Sequence, residues 1–240
     1  MKTLKPVLQC LLAIAVATAL FSCGGSSGKK AGDTTASAST DTSKKASTAA
    51  FTPFDVVDIT HNVKDYAKWR PAFDADSTNQ KAAGLQTLAV GRDADSSNRI
   101  LIAFKISDMA KAKAMEADPK LKETMIKAGV ISKPDFEYYH MIRFTPGTEK
   151  QWIVVNHKVK DFAAWLKVFD AEGSAKRESE GLADRALARG IADTNMVHIV
   201  FRVTDMAKAK ASIFSDEKKK LMENAGVVGK PDIRFYNAGQ

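Results

Sequence analysis

The side chains best suited to chemistry are histidines, tyrosines and a few polar residues on predicted strands. His61 and His157 open two copies of one motif, His-x-Val-x-Asp-Tyr/Phe-x-x-Trp. Because histidine titrates near neutral pH, such a pair could serve general acid–base catalysis. The candidates for catalysis or ligand binding share strand positions and polar or aromatic chemistry: His61, His157, His198, Tyr139, Tyr236, Asn156 and Arg202.

Other kinds of site are disfavoured by the same sequence. The four histidines, which include His140, show no helical ligand spacing, so no metal site is predicted. No glycine-rich phosphate loop and no Ser-His-Asp arrangement can be identified, and no cofactor is predicted. Half of the net charge of +8 lies in residues 1–50, and acidic and basic residues are interspersed beyond them. A nucleic-acid partner is therefore not expected.

Strand alternation divides the candidates between two faces of a sheet. His61 and His157 share a face with β-branched residues, which should lie under the helices. The simpler interpretation of each is a histidine hydrogen-bonded to backbone where strand meets helix. The opposite face is predicted to be polar and to line an interior: Asp58, Thr60, Asn156, Lys105, His198, Arg202, Glu137, Tyr139, Arg234 and Tyr236. Such an interior suits either a ligand cavity or an ion-paired interface, and the sequence leaves both open.

The sequence segments that should form the elements around these residues occur twice in the chain. Residues 61–69 match residues 157–165, and Asp-Met-Ala-Lys-Ala-Lys-Ala occurs at 108–114 and again at 205–211. The offset is 96 residues early and 97 later, which indicates a tandem duplication with one inserted residue. Each copy is predicted to read β-α-β-β-α-β, with helix N-caps at the aspartates: Asp65, Asp108, Asp161 and Asp205.

This order predicts an α+β fold of tandem ferredoxin-like βαββαβ repeats over residues 51–147 and 148–240. Each four-stranded sheet has helices on one face only, so its other face needs a cover. Two copies in one chain can cover each other as a closed barrel. The chain is therefore predicted to be a monomer that contains an intramolecular pseudo-dimer.

The opening motif, the asparagine at the end of the predicted turn (Asn98), and the closing Ala128-Gly129-Val130 and Pro134-Asp135 resemble the antibiotic-biosynthesis-monooxygenase-like dimeric α/β-barrel superfamily, and within it a small, mostly uncharacterised branch. The resemblance covers about residues 51–240 and implies a barrel built by two copies. In that superfamily, cofactor-free oxygenases use Asn, Trp, Tyr or His around a barrel pocket, and some members degrade haem. No complete catalytic set is matched here, so the resemblance implies a fold more than an activity.

The N-terminus is predicted to be a lipoprotein leader. Lys2 and Lys5 precede an apolar run of about 15 residues, which is shorter than a typical membrane-spanning helix. The run ends in Leu20-Phe21-Ser22-Cys23, which resembles a lipobox and predicts lipidation of Cys23 after removal of residues 1–22. Residues 23–50 are predicted to be a disordered tether. The expected location is the cell envelope, lipid-anchored to a bacterial membrane.

Two functions of different classes follow from these observations. One is a membrane-anchored binding or accessory module that takes a small hydrophobic or aromatic ligand in the barrel. The other is a cofactor-independent monooxygenase-like enzyme that acts on an aromatic or polyketide-like substrate. Haem binding through one histidine is a third hypothesis. The sequence identifies neither the ligand nor a reaction.

Overall fold

The strands of both repeats join into one closed antiparallel barrel. The computed structural model describes residues 51–239, and the predicted leader, the lipidation site Cys23 and the tether lie outside these residues. The strands have these bounds: β1 (Phe54–Asn62), β2 (Leu85–Asp93), β3 (Arg99–Ile106), β4 (Asp135–Phe144), β5 (Gln151–Val159), β6 (Leu182–Gly190), β7 (Met196–Val203) and β8 (Val227–Ala238). Around the barrel they follow the order β1-β3-β2-β8-β5-β7-β6-β4.

Both seams of the barrel are made between repeats. Strand β4 pairs with β6, where Met141 lies opposite Ala188, and β2 pairs with β8, where Gly91 lies opposite Ala238. Neither sheet keeps a free edge at these seams, because each edge strand pairs with the other repeat. The prediction of tandem ferredoxin-like repeats in one barrel is confirmed.

Short helices cover the outside of the barrel in pairs. Their bounds are α1 (Tyr66–Ala75), α2 (Ser77–Ala82), α3 (Met109–Ala117), α4 (Pro119–Lys127), α5 (Phe162–Glu172), α6 (Ser174–Ser179), α7 (Met206–Ile213) and α8 (Asp216–Asn224). The sequence predicted one helix at each of the four places where the structure has two. One break comes before Pro119, whose ring disfavours helical backbone at Asp118. Another falls at Gly173, whose φ of 82° is left-handed.

The aspartate caps explain where the leading helices begin. Asp65 accepts hydrogen bonds from the backbone N–H groups of Ala67 and Lys68, and Asp161 accepts one from Ala164 at 2.6 Å. Asp108 and Asp205 cap α3 and α7 in the same way. All four predicted caps are confirmed, and such a cap typically contributes about 1 kcal/mol.

The helices bury one face of each sheet. In the first repeat, Val57 and Ile59 of β1 pack with Trp69 of α1 in a single apolar core. In the second, Ile153 and Val155 pack with Trp165 in the equivalent core. The predicted division of strand residues into a helix-facing and an interior face is therefore correct at these positions, and it leaves the opposite faces to meet inside the barrel.

Candidate functional site

A cavity of about 250 Å³ lies inside the barrel, and all eight strands contribute to its lining. Most of the lining is apolar, and it includes Val56, Leu101 and Val154. Five polar residues line it as well: Asp58, Thr148, Glu149, Arg185 and His198. The prediction of a polar interior is therefore wrong in part.

The error has a physical origin at the strand ends. Lining positions alternate along β1, β3, β5 and β7, whereas β2, which has an irregularity between Thr87 and Ala89, contributes three consecutive residues. Most lining positions carry apolar side chains, and Asp58 and His198 are buried polar exceptions. Arg202, which was predicted to line the interior, lies near the end of β7 and is exposed. Lys105 and Arg234 are only half-buried. Long charged side chains at strand ends reach water, whereas the centre has no such outlet.

Asp58 and His198 meet across the cavity although they belong to different repeats. Asp58 comes from β1 and His198 from β7, and their side chains are 6% and 3% exposed. The Asp58 Oδ2 atom lies 3.7 Å from His198 Nε2, which is too far for a direct hydrogen bond. Both polar atoms therefore remain able to contact a third group.

Two neighbours fix the His198 ring. Its Nδ1 atom lies 2.8 Å from Asn156 Oδ1, the cross-strand partner on β5. Because a carboxamide oxygen only accepts, Nδ1 carries the proton and Nε2 presents a lone pair. The Tyr139 ring stacks on the imidazole with centroids 4.5 Å apart. Three predicted site residues, His198, Asn156 and Tyr139, are thus brought together.

Burial sets the charge of this group. Burial, with the charge of Glu137 beside it, raises the pKa of Asp58 to about 8. Burial lowers the pKa of His198 to about 4. At neutral pH the Asp58 carboxyl is therefore mostly protonated and the imidazole is neutral, so the pair is a proton donor facing a proton acceptor and not an ion pair.

Tyr139 links this group to a second carboxyl. Its hydroxyl donates to Glu137 Oε2 at 2.8 Å, and Glu137 lies directly opposite Asp58 in the β1–β4 pair. Burial raises the pKa of Glu137 although this hydrogen bond opposes the rise. Burial also raises the pKa of Tyr139, so its hydroxyl stays protonated and acts as a donor.

The other half of the interior is apolar at the equivalent positions. The repeat places Val154 where the first copy has Asp58, and Leu101 where the second copy has His198. Val154 and Leu101 pack with Trp152 and Tyr236 in one buried cluster. Trp152 stacks on Tyr236 with ring centroids 6.3 Å apart. Tyr236, another predicted site residue, therefore packs in this apolar cluster, and burial raises the pKa of its hydroxyl, with a smaller contribution from the charge of Asp58.

The rim of the cavity carries a paired charge. Arg185 and Glu149 lie 3.4 Å apart, and each side chain is 12% exposed. Arg185 also donates to the carbonyl of Thr145, and its guanidinium lies 4.7 Å from the Phe144 ring centroid. The Arg185 cation at the rim is therefore already paired with a carboxylate.

His61 and His157 lie outside the cavity, beneath the helices, as their strand position predicts. The expected hydrogen bond to backbone is wrong, because none of their four ring nitrogens has a partner within the described structure. Each ring instead packs edge to face against a tryptophan, Trp69 or Trp165, with centroids 5.5 Å apart. Burial lowers the pKa of both histidines to about 4.

The spaces beside these two histidines are small. His61 lines a cavity of about 70 Å³ and His157 one of about 60 Å³. Water occupies about 30 Å³ in the liquid, so each space has the volume of about two water molecules. A porphyrin does not fit there. Within residues 51–239, no three His, Cys, Asp or Glu side chains come together as a metal site.

Asp58 was missing from the predicted site, although it was assigned to the interior face. The signal was available in the repeat, because Asp58 and His198 are positions where one copy is polar and the other apolar. Trp152 was also missed. It fits because Gly91 has no side chain, and a Cβ there would come within 2.7 Å of the indole.

Solved structures resemble the described chain in fold. One is a proposed monooxygenase from Lactobacillus acidophilus (14% identity, TM-score 0.50, covering 78% of this chain and 95% of that chain). Another is a proposed monooxygenase from Fusobacterium nucleatum (10% identity, TM-score 0.53, covering 78% and 93%). This chain has the dimeric α/β-barrel fold. At these identities the likeness concerns the fold alone.

Other comparisons add no family. No protein-family model matches the sequence, and no curated protein matches it. A further similar structure, from Listeria monocytogenes, is described as a ferredoxin-fold protein related to antibiotic biosynthesis monooxygenases (10% identity, TM-score 0.47, covering 78% and 96%). Within residues 51–239, no helix has the length and apolarity needed to cross a membrane.

Proposed function

We propose that this protein is a membrane-anchored lipoprotein that binds one small, uncharged and mainly apolar ligand inside its barrel. The observation that carries the proposal is the 250 Å³ cavity lined by both repeats. An engineered cavity of about 150 Å³ holds benzene, and drug-sized ligands occupy about 300–1,000 Å³. The volume therefore suits a ligand with one or two rings, which agrees with the hydrophobic or aromatic partner expected from the sequence.

The electrostatics of the cavity favour an uncharged ligand. Asp58 and His198 are both neutral near pH 7, and Arg185 at the rim is paired with Glu149. A charged ligand would lose its hydration without gaining a counter-ion, which is costly. An apolar ring would instead bury its surface against Trp152 and Val154.

Ligand binding is tested by calorimetry with single-ring and two-ring aromatic compounds. The variant Val200→Phe should fill part of the cavity and weaken binding at least tenfold. The matched control is Val228→Phe, at an exposed valine outside the cavity, which should bind normally. Equal affinity in both variants would contradict a site inside the barrel.

The anchor is the second part of the proposal, and its support is the lipobox-like Leu20-Phe21-Ser22-Cys23 after the apolar run. In bacterial cells, the protein should sediment with membranes and incorporate labelled palmitate. Cys23→Ser should leave it soluble and unlabelled, whereas Cys10→Ser, in the leader, should change neither result. Membrane association that persists in Cys23→Ser would contradict the anchor.

A cofactor-independent monooxygenase-like activity is the second candidate function. It is favoured by one observation, the buried proton acceptor His198 Nε2 that faces the cavity beside the Asp58 carboxyl. Such an acceptor could remove a proton from a bound aromatic substrate. Oxygen uptake by purified protein with a panel of quinols tests it, with His198→Leu as the control. Uptake that is absent, or equal in both proteins, would leave binding as the function.

A further inference from the structure

The polar groups of the barrel cavity define one subsite within it. Asp58 Oδ2 and His198 Nε2 are 3.7 Å apart, and both residues line the cavity. A single ligand oxygen placed between them can lie about 2.8 Å from each atom, which is an ordinary hydrogen-bond distance. The subsite therefore accommodates one polar atom and leaves the rest of the ligand against apolar walls.

The two groups offer opposite hydrogen-bonding roles. His198 Nδ1 donates to Asn156, so Nε2 can only accept. Asp58 lies opposite Glu137 and near the Tyr139 hydroxyl. Within residues 51–239, the basic side chain that lies beside Asp58 is His198. With a second carboxyl nearby and, among residues 51–239, no cation acting on it, the Asp58 carboxyl keeps its proton and donates.

Only some ligand groups satisfy both roles through one atom. A hydroxyl oxygen can accept from Asp58 and donate to His198. An ether or ketone oxygen cannot donate, so His198 would stay unsatisfied. A carboxylate brings a charge for which the subsite holds no cation. Each unsatisfied buried group costs binding free energy.

The repeat makes this subsite one-sided. At the equivalent places in the other half, Val154 and Leu101 replace Asp58 and His198 and pack with Trp152. A ligand with a single polar end therefore has one favourable orientation. Its ring lies toward Trp152 and its polar end lies toward the polar pair.

From this geometry we infer that the cavity selects a neutral aromatic hydroxyl compound, a phenol or an aryl alcohol, with its hydroxyl between Asp58 and His198. The inference rests on the proposed binding function and names its ligand class. It also assigns Asp58 and His198 as the residues that determine specificity, and Asn156 as the residue that positions His198.

The test compares four probes that share one ring: 4-ethylphenol, 4-ethylanisole, ethylbenzene and 4-ethylbenzoate. Calorimetry with the full chain should give 4-ethylphenol at least tenfold higher affinity than each of the others. His198→Leu and Asp58→Val, which copy the repeat-equivalent residues, should bind 4-ethylphenol and ethylbenzene equally. Asp58→Asn keeps a donor and should keep most of the preference, and Val228→Phe, at an exposed valine outside the cavity, should keep all of it.

The possible outcomes distinguish a wrong ligand class from a wrong binding function. If the four probes bind alike, or if His198→Leu keeps the preference, the ligand class is wrong and the binding function stands. If none of the four binds, the proposed function fails as well. A preference for 4-ethylbenzoate would overturn the neutral subsite and point to Arg185 as the ligand's partner.

Discussion

Asp58, His198 and Tyr139 come from three strands and both repeats, and each is at most 4% exposed. In such a position a side chain keeps whichever protonation state carries no charge, unless an opposite charge lies beside it. Strand alternation alone shows which face of the sheet a side chain is on. It shows neither how deeply that side chain is buried nor whether an opposite charge lies beside it. The same limit explains why Arg202 was placed inside although it is exposed.

At the residue scale, Asp58→Asn should stabilise the protein increasingly as the pH rises. The folded-state pKa of Asp58 is about 8 and its ordinary value is 3.8, so between these values only the folded state holds the proton. Stability is lost as the pH rises through that window, at up to about 1.4 kcal/mol per pH unit. Urea unfolding at pH 5, 6, 7 and 8 should show the variant's advantage growing. Asp95→Asn, at an exposed turn, is the control, and parallel curves for Asp58→Asn would contradict the protonated carboxyl.

The buried histidines give the opposite pH dependence. The folded-state pKa values of His61 and His157 are about 4 and their ordinary value is 6.5, so stability is present above 6.5 and is lost as the pH falls toward 4. Each histidine accounts for about 3 kcal/mol of that loss. The double variant His61→Leu with His157→Leu should be much less acid-sensitive in urea unfolding. His140→Asn, at an exposed histidine, should behave like the parent, and an unchanged acid sensitivity in the double variant would refute the assignment.

At the element scale, the two repeats share strands and caps but differ in how the first helix pair is held. Gln80 of α2 donates to the carbonyl of Phe73. Arg177 of α6 occupies the equivalent place, donates to the carbonyl of Phe169, and also pairs with Asp184 at 2.6 Å. The repeat pattern predicted that both places are helical. It could not predict the buried charge network, which depends on side chains brought together by the fold.

Arg177→Gln should therefore destabilise the protein by about 2 kcal/mol or more, because it leaves Asp184 without its partner and leaves Glu172 with Lys218 alone. Adding Asp184→Thr copies the first repeat, which has Gln80 and Thr87, and should restore part of the loss. Thermal unfolding of the single and double variants measures both effects. If the second change brings no recovery, the ion pair is not the reason for the loss.

At the scale of the whole molecule, each repeat supplies the cover for the other's open sheet face. The repeat and its strand pattern were sufficient to predict this closed barrel, because a ferredoxin-like sheet has one face without helices. They were also sufficient to predict His198, Asn156 and Tyr139 as interior residues. The cavity volume and the distance between Asp58 and His198 depend on packing across the barrel, which no single-strand pattern contains.

Because β4–β6 and β8–β2 join the repeats, residues 51–240 should unfold in one cooperative step. Trp69 lies in the first helix-facing core and Trp165 in the second. The variants Trp69→Phe and Trp165→Phe both carry Trp152→Phe as a common background. Trp69→Phe then leaves Trp165 as the fluorescent reporter of the second repeat, and Trp165→Phe leaves Trp69 as the reporter of the first. Circular dichroism gives the overall stability of each variant. After correction for that difference in stability, the urea midpoints from the two fluorescent reporters should coincide. Two separate midpoints within one protein would show that the repeats are independent.

The central claim is that a neutral hydroxyl ligand binds inside the barrel between the two repeats. The most direct measurement is a crystal structure of the full chain with 4-ethylphenol, compared with the ligand-free protein. The hydroxyl oxygen should lie within hydrogen-bond distance of both Asp58 and His198, with the ring toward Trp152. Density for the compound elsewhere, or a barrel that holds only water at saturating 4-ethylphenol, would contradict the claim.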